Sequence, residues 1–192
     1  MNSRLVNIKT IIPNIIIDIK YATTDNFTKK MVYSSNQCYL IDAVAQALKL
    51  ATHDFNNLGY RIKIWDGYRP LQAQYTFWQL VPDPNYVADP KQGSHHNRGC
   101  AVDVTLVDQN GNELDMGTGF DDFTTKAHRD YQNFSDQILK NRQILQTIME
   151  KHGFIGWHKE WWHFDFKDWE QHPVLDIPFE ALENMDLYPN EI

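Results

Sequence analysis

Two short stretches concentrate the residue types that bind metals and move protons. The first is Gly93-Ser94-His95-His96-Asn97-Arg98-Gly99-Cys100-Ala101-Val102-Asp103; the second is Glu160-Trp161-Trp162-His163. His96 and Asp103 are both good zinc ligands. On a helix, seven residues apart, they would lie about 10 Å from each other along the axis, too far to share one ion. A loop running into a strand removes that difficulty. Gly99 permits the turn, Ala101 keeps one pleat face clear, and Asp103 then points off that same face. Cys100 has the opposite parity and is excluded as a ligand. His163 supplies a third ligand. His95 rivals His96, and spacing alone does not decide between them. Glu160 has the opposite strand parity to His163, so it reaches the same ion only through a bend or bulge. A carboxylate held near a metal but not on it is what a general base needs. Two His and one carboxylate leave a position open for water, the arrangement of a catalytic zinc rather than a structural one.

The elements that must position these residues are those of one α+β domain. No internal repeat, low-complexity segment or linker interrupts residues 1–192. The first forty residues read as extended pieces and loops, with Ile15 to Ile19 as a buried strand. Asp42 is placed as the N-cap of a helix in which Val44, Leu48, Ala51, Phe55 and Leu58 recur at helical spacing until Gly59. Arg61 to Trp65 is a strand, Asp66 to Pro70 a turn, and Leu71 to Leu80 a second helix. Residues 81–100 form a loop, and Ala101 to Val107 a strand closed by the turn Asp108-Gln109-Asn110-Gly111. Ser135 caps a helix whose apolar face carries Ile138, Leu145, Ile148 and Met149, stopped by Gly153. Trp157 to Phe166 reads as one strand, with Trp162, Phe164 and Phe166 on one face and Trp161, His163 and Asp165 on the other. The expected architecture is a single domain with a central, mainly antiparallel sheet flanked by helices and a zinc site on the sheet.

Composition narrows the partners. The 192 residues carry 18 Lys plus Arg against 25 Asp plus Glu, a formal charge of −7. That balance argues against a broad phosphate-binding surface and hence against nucleic acid. No run of 18 apolar residues exists, so no membrane partner is expected. The N-terminus has no signal-peptide core, and Cys38 and Cys100 form no C-x-x-C pair. Two free thiols in the cytoplasm are therefore expected. His53, His128, His152, His158 and His172 read as ordinary histidines, the aromatic cluster at 157–169 as core, and the acidic residues of 180–191 as a solvated tail.

The motif positions also carry a family resemblance. Ser94, His96, Gly99, Ala101 and Asp103 match S-x-H-x-x-G-x-A-x-D in full, and Glu160, Trp162 and His163 match E-x-W-H. Together they resemble the zinc peptidase superfamily of D-Ala-D-Ala carboxypeptidases, dipeptidases and the hedgehog signalling domain. Tyr21-Ala22-Thr23-Thr24-Asp25-Asn26-Phe27-Thr28, Asp66-Gly67-Tyr68-Arg69-Pro70 and Met116-Gly117-Thr118-Gly119-Phe120-Asp121 are similar to segments of the D-alanyl-D-alanine dipeptidases of the VanX type. The resemblance implies one Zn²⁺ per chain on His96, Asp103 and His163, with Glu160 as base. It implies further that Arg69 stabilises the tetrahedral intermediate, while Asp121 and Ser94 hold the free amino end of a small dipeptide substrate. The expected reaction is hydrolysis of D-alanyl-D-alanine to two D-alanines. The rivals are a carboxypeptidase or peptidoglycan endopeptidase of the same superfamily, and a zinc-binding module without catalysis; the presence of both Glu160 and Arg69 argues against the last.

Overall fold

A computed structural model describes residues 3–187. Met1 and Asn2, which belong to the stretch read for a signal peptide, lie outside the described residues, as do residues 188–192 at the end of the acidic stretch. The chain opens with strand β1 (Leu5–Asn7), the one-turn helix α1 (Ile8–Ile11) and the short strand β2 (Ile16–Ile17). Strand β3 (Tyr39–Ile41) runs directly into helix α2 (Asp42–Asn57). Strand β4 (Arg61–Asp66), helix α3 (Leu71–Leu80) and strand β5 (Ala101–Val107) follow. Helix α4 (Asp136–Lys151), the hairpin strands β6 (Phe154–Gly156) and β7 (His163–Phe166), and helix α5 (Phe179–Leu187) complete it.

β1 and β3 form a small antiparallel ribbon. The main sheet has the order β2-β4-β5-β7-β6, and only its β2–β4 pair is parallel. The mixed, mainly antiparallel architecture is the one expected. β5 sits at the centre and is buried along its whole length. Its alternate residues part company: Val102, Val104 and Leu106 join the hydrophobic core, whereas Asp103 and Thr105 line cavities. α2 buries Val44, Ala45, Leu48, Ala51 and Phe55, one stripe at three- and four-residue steps, and packs on β4 and α4. α4 buries Leu145, Ile148 and Met149 and packs on β6. The apolar core thus holds a rigid sheet whose polar residues are free to serve chemistry.

Several local expectations need correction. Trp157 to Phe166 is not one strand: β7 starts at His163, and residues 157–162 form the tight connection from β6. Trp161 and Trp162 are consequently both buried rather than on opposite faces. Ile15 to Ile19 shrinks to the two residues of β2, flanked by the buried Ile15 and Ile19. Asp42 is the first helical residue and Ile41 occupies the cap. The acidic stretch folds back in its described part as α5, burying Phe179 and Leu182, while Asp186 accepts hydrogen bonds from Tyr39 (2.9 Å) and Asn7 (3.0 Å).

Gly99 is the joint between the 3₁₀ turn His96–Arg98 and β5. Its φ is +66°, and a Cβ there would meet Leu5 Cδ2 at 2.6 Å and the Ile41 nitrogen at 3.2 Å. Left-handed backbone costs a non-glycine residue about 1–2 kcal/mol before any clash. Gly99→Ala should therefore lower the melting temperature, at about 2–4 °C per kcal/mol for a chain of this size. An unchanged melting curve would contradict the tight turn.

Candidate active site

The sheet register assembles the first part of the site. Asp66 on β4 stands opposite Asp103 on β5, and Asp103 stands opposite His163 on β7. Three titratable side chains thus share one row across three adjacent strands. His96 comes to the same point from the 3₁₀ turn before Gly99. That turn is strutted against the Asp66–Pro70 turn. The Arg69 nitrogen donates to the His96 carbonyl (3.1 Å), and buried Asn97 donates from Nδ2 to the Arg69 carbonyl (2.8 Å) while its Oδ1 accepts from the Ser94 nitrogen (2.7 Å).

Three atoms converge. His96 Nε2 lies 3.2 Å from His163 Nδ1 and 3.4 Å from Asp103 Oδ1, and the last two are 3.0 Å apart. The outer nitrogen of each ring is already committed. His96 Nδ1 donates to the Gly67 carbonyl (2.8 Å), which can only accept, and His163 Nε2 faces Asp165 Oδ1 at 2.9 Å. In the neutral form of each ring both inner nitrogens therefore present lone pairs to a carboxylate oxygen, a donor set suited to a cation. Tetrahedral zinc with bonds of 2.0–2.2 Å would separate its ligand atoms by roughly 3.3–3.6 Å, so this donor set fits that ion in type and nearly in spacing. Among the described residues, His96, Asp103 and His163 are the group whose ligand atoms lie close enough together to hold a metal. Burial alone would raise the Asp103 carboxyl, but positive charge at this point, carried by the imidazoles of His96 and His163 when they are protonated, outweighs it and holds the carboxyl below the usual carboxylate range. His95 is not in the cluster: its Nδ1 lies 2.7 Å from Asp165 Oδ1 and its ring stacks on Trp169.

One cavity of about 290 Å³ is lined by all seven residues singled out in the sequence: Arg69, Ser94, His96, Asp103, Asp121, Glu160 and His163. Glu160 arrives through the tight β6–β7 connection, the bend its parity demanded, and its Oε2 stands 3.9 Å from His163 Nδ1. Burial pushes its carboxyl up to about 7. Ser94 lines the cavity and also supports the turn, its Oγ accepting from the His96 nitrogen (3.2 Å).

Arg69 is fixed on three sides. Its Nη2 donates to Asp66 Oδ2 (2.8 Å), Nη1 to Gln74 Oε1 (2.8 Å) and Nε to the Tyr33 hydroxyl (3.2 Å). The guanidinium lies over the Phe77 and Tyr21 rings at 4.9 and 5.5 Å. A guanidinium has five N–H groups, so two remain for a ligand in the cavity. Sequence reading passed over this cage. Asp66 was visible inside the Asp66–Pro70 motif, but Tyr33, Gln74 and the strut Asn97 carry no spacing signal. Asp121 is half-buried, with φ +57°, and its two oxygens accept from the Tyr21 hydroxyl and the Phe27 nitrogen, each at 3.0 Å.

The peptidase M15 family model described as D-ala-D-ala dipeptidase matches residues 1–180. The chain belongs to that family. It is accordingly a metallopeptidase. The D-alanyl-D-alanine dipeptidase of Escherichia coli K12 is 40% identical over 184 residues, 94% of this chain and 93% of that one. The D-alanyl-D-alanine dipeptidase of Enterococcus faecalis V583 is 36% identical over 175 residues, 79% of this chain and 85% of that one. Among solved structures, the LdcB LD-carboxypeptidase superposes with a TM-score of 0.49 at 21% identity, covering 97% of this chain and 75% of that one. Among the described residues of this family member, no helix is long and apolar enough to cross a membrane.

Burial raises Asp121 to about 7 despite its two donors. In the unfolded chain an aspartate ionises near 4. Between these values the folded state binds the extra proton, so Asp121 makes stability fall as pH rises from about 4 to 7. Asp121→Asn removes that penalty. The variant's melting temperature should gain on the parent's between pH 5 and pH 8, and a pH-independent difference would contradict the burial of an ionisable Asp121.

Proposed function

We propose that the chain hydrolyses free D-alanyl-D-alanine to two D-alanines, with one Zn²⁺ held by His96, Asp103 and His163. One observation carries the reading: the three converging lone pairs, Glu160, Arg69 and Asp121 share one cavity, in a chain whose relatives are named for this activity. When bound, zinc supplies Lewis acidity toward a carbonyl and a lowered pKa for water.

The chain's own residues do the rest. Glu160, titrating near neutrality, takes the proton of the attacking water and returns it to the leaving amine. Arg69 aims its two uncommitted N–H groups at the negative charge that develops on the former carbonyl oxygen. Its cage keeps that fork from reorganising during the reaction. Asp121 pairs with the substrate's free ammonium, with Ser94 beside it. A blocked amine would leave the Asp121 carboxylate buried without a cationic partner, so selectivity for a free dipeptide follows. The partner is thus a small dipeptide, not nucleic acid or membrane. The buried free thiols of Cys38 and Cys100 accord with a cytoplasmic setting.

Release of D-alanine, followed with free and N-acetylated substrate, tests this. The free dipeptide should be cleaved and the N-acetyl form turned over about 100-fold more slowly or less. Glu160→Gln should keep the metal and lose about 10²–10⁴ in kcat. Equal cleavage of the acylated substrate would favour a carboxypeptidase. Parental turnover in Glu160→Gln would remove Glu160 from the base role.

A further inference from the structure

His95 was set aside as a ligand, yet it is held in a specific place. Asp165 lies two residues after His163 on β7, on the same pleat face, and opposite the small Ala101 of β5. A single oxygen, Asp165 Oδ1, serves two imidazoles: His163 Nε2 at 2.9 Å and His95 Nδ1 at 2.7 Å. The His95 ring in turn stacks on Trp169 with centroids 3.8 Å apart and an interplanar angle of 24°. Arg98 lies over the other aromatic partner of this stack, its Cζ 5.4 Å from the Trp169 ring centre. The order is thus Trp169, His95, Asp165, His163, and then the convergent point shared with Asp103 and His96.

Each contact removes a freedom from the next group. An imidazole can rotate about its Cβ–Cγ bond and exchange the positions of its nitrogens. A carboxylate on Nε2 fixes the ring so that Nδ1 carries the lone pair and faces Asp103. The carboxylate can rotate as well, and its remaining contact on that oxygen, His95, fixes it. His95 cannot swing away, because the stack on Trp169 holds the ring plane. We propose that His95 and Asp165 form a positioning pair that orients His163 for metal binding, His95 acting through Asp165. This rests on His96, Asp103 and His163 being the metal ligands.

Zinc affinity, measured by chelator competition on the full-length metal-free chain, tests the pair without reference to turnover. Asp165→Asn keeps the side-chain shape but loses the negative charge, and should weaken zinc binding about 10–100-fold. His95→Phe keeps a ring for Trp169 but removes Nδ1, and should weaken binding in the same direction by about threefold or more. His95→Asn restores an N–H near the former Nδ1 and should return affinity to within about twofold of the parent. The double variant His95→Phe with Asp165→Asn should bind zinc as Asp165→Asn does, since His95 has no other route to the ion. Should Asp165→Asn not fold, His95→Phe at its partly exposed position decides alone. Parental affinity in either single variant, or additive losses in the double variant, overturns the pair. The parallel variant His163→Ala separates the two levels. Zinc bound at parental strength by His163→Ala overturns the ligand assignment itself, whereas zinc lost there but kept in the other variants overturns only the pair.

Discussion

Three electron-rich atoms within 3.4 Å of one another repel unless a positive charge stands between them, and the site is built around that constraint. The polypeptide meets it with rigidity. Asp103 is buried in the central strand, His163 is its cross-strand neighbour, and His96 is pinned by a 3₁₀ turn ending in a left-handed glycine. A buried carboxylate without compensation would shed its charge by taking up a proton. Here positive charge at this point, on protonated His96 and His163 or on a cation between the three, reverses that tendency and holds Asp103 ionised. The hydrophobic core formed by α2, α4 and the inner face of β5 is what makes such an arrangement tolerable, because it holds the strands in one register.

The same low-dielectric cavity treats its other carboxylates differently. Glu160 and Asp121 are both raised to about 7, Glu160 without a committed cation and Asp121 with two neutral donors. One cavity therefore holds an ionised carboxylate and two carboxyl groups raised to near neutrality, a separation set by environment alone. Arg69 supplies the fixed positive charge opposite them. Its ion pair with fully buried Asp66 makes it a costly arrangement to disturb, since removing one partner of a buried pair typically costs about 3–5 kcal/mol.

The chemistry was more legible than the scaffold's details. The convergence of His96 and Asp103 across Gly99 and the need for a bend at Glu160 follow from pleat geometry, and the structure brings these side chains to one cavity. The strand boundary at His163 was not legible, because the alternation of Trp162, Phe164 and Phe166 with Trp161, His163 and Asp165 runs across it, while the backbone still turns at 157–162 and buries both tryptophans. The cage around Arg69 escaped for a different reason. Tyr33, Gln74 and Asn97 act across distances in sequence that no periodicity encodes. The C-terminal helix was hidden by its charge: Glu183 and Asp186 read as solvated, whereas they bond to Ser35 and Tyr39 over the buried Phe179 and Leu182.

The central claim is that the register of β5 and β7 together with the Gly99 turn makes one zinc site of mixed nitrogen and oxygen ligands. Anomalous diffraction at the zinc edge from zinc-loaded crystals tests it most directly. The account predicts one zinc per chain, with His96 Nε2, His163 Nδ1 and an Asp103 oxygen at about 2.0–2.2 Å. Zinc found on His95 in place of His96, or no zinc between these three residues, would contradict it.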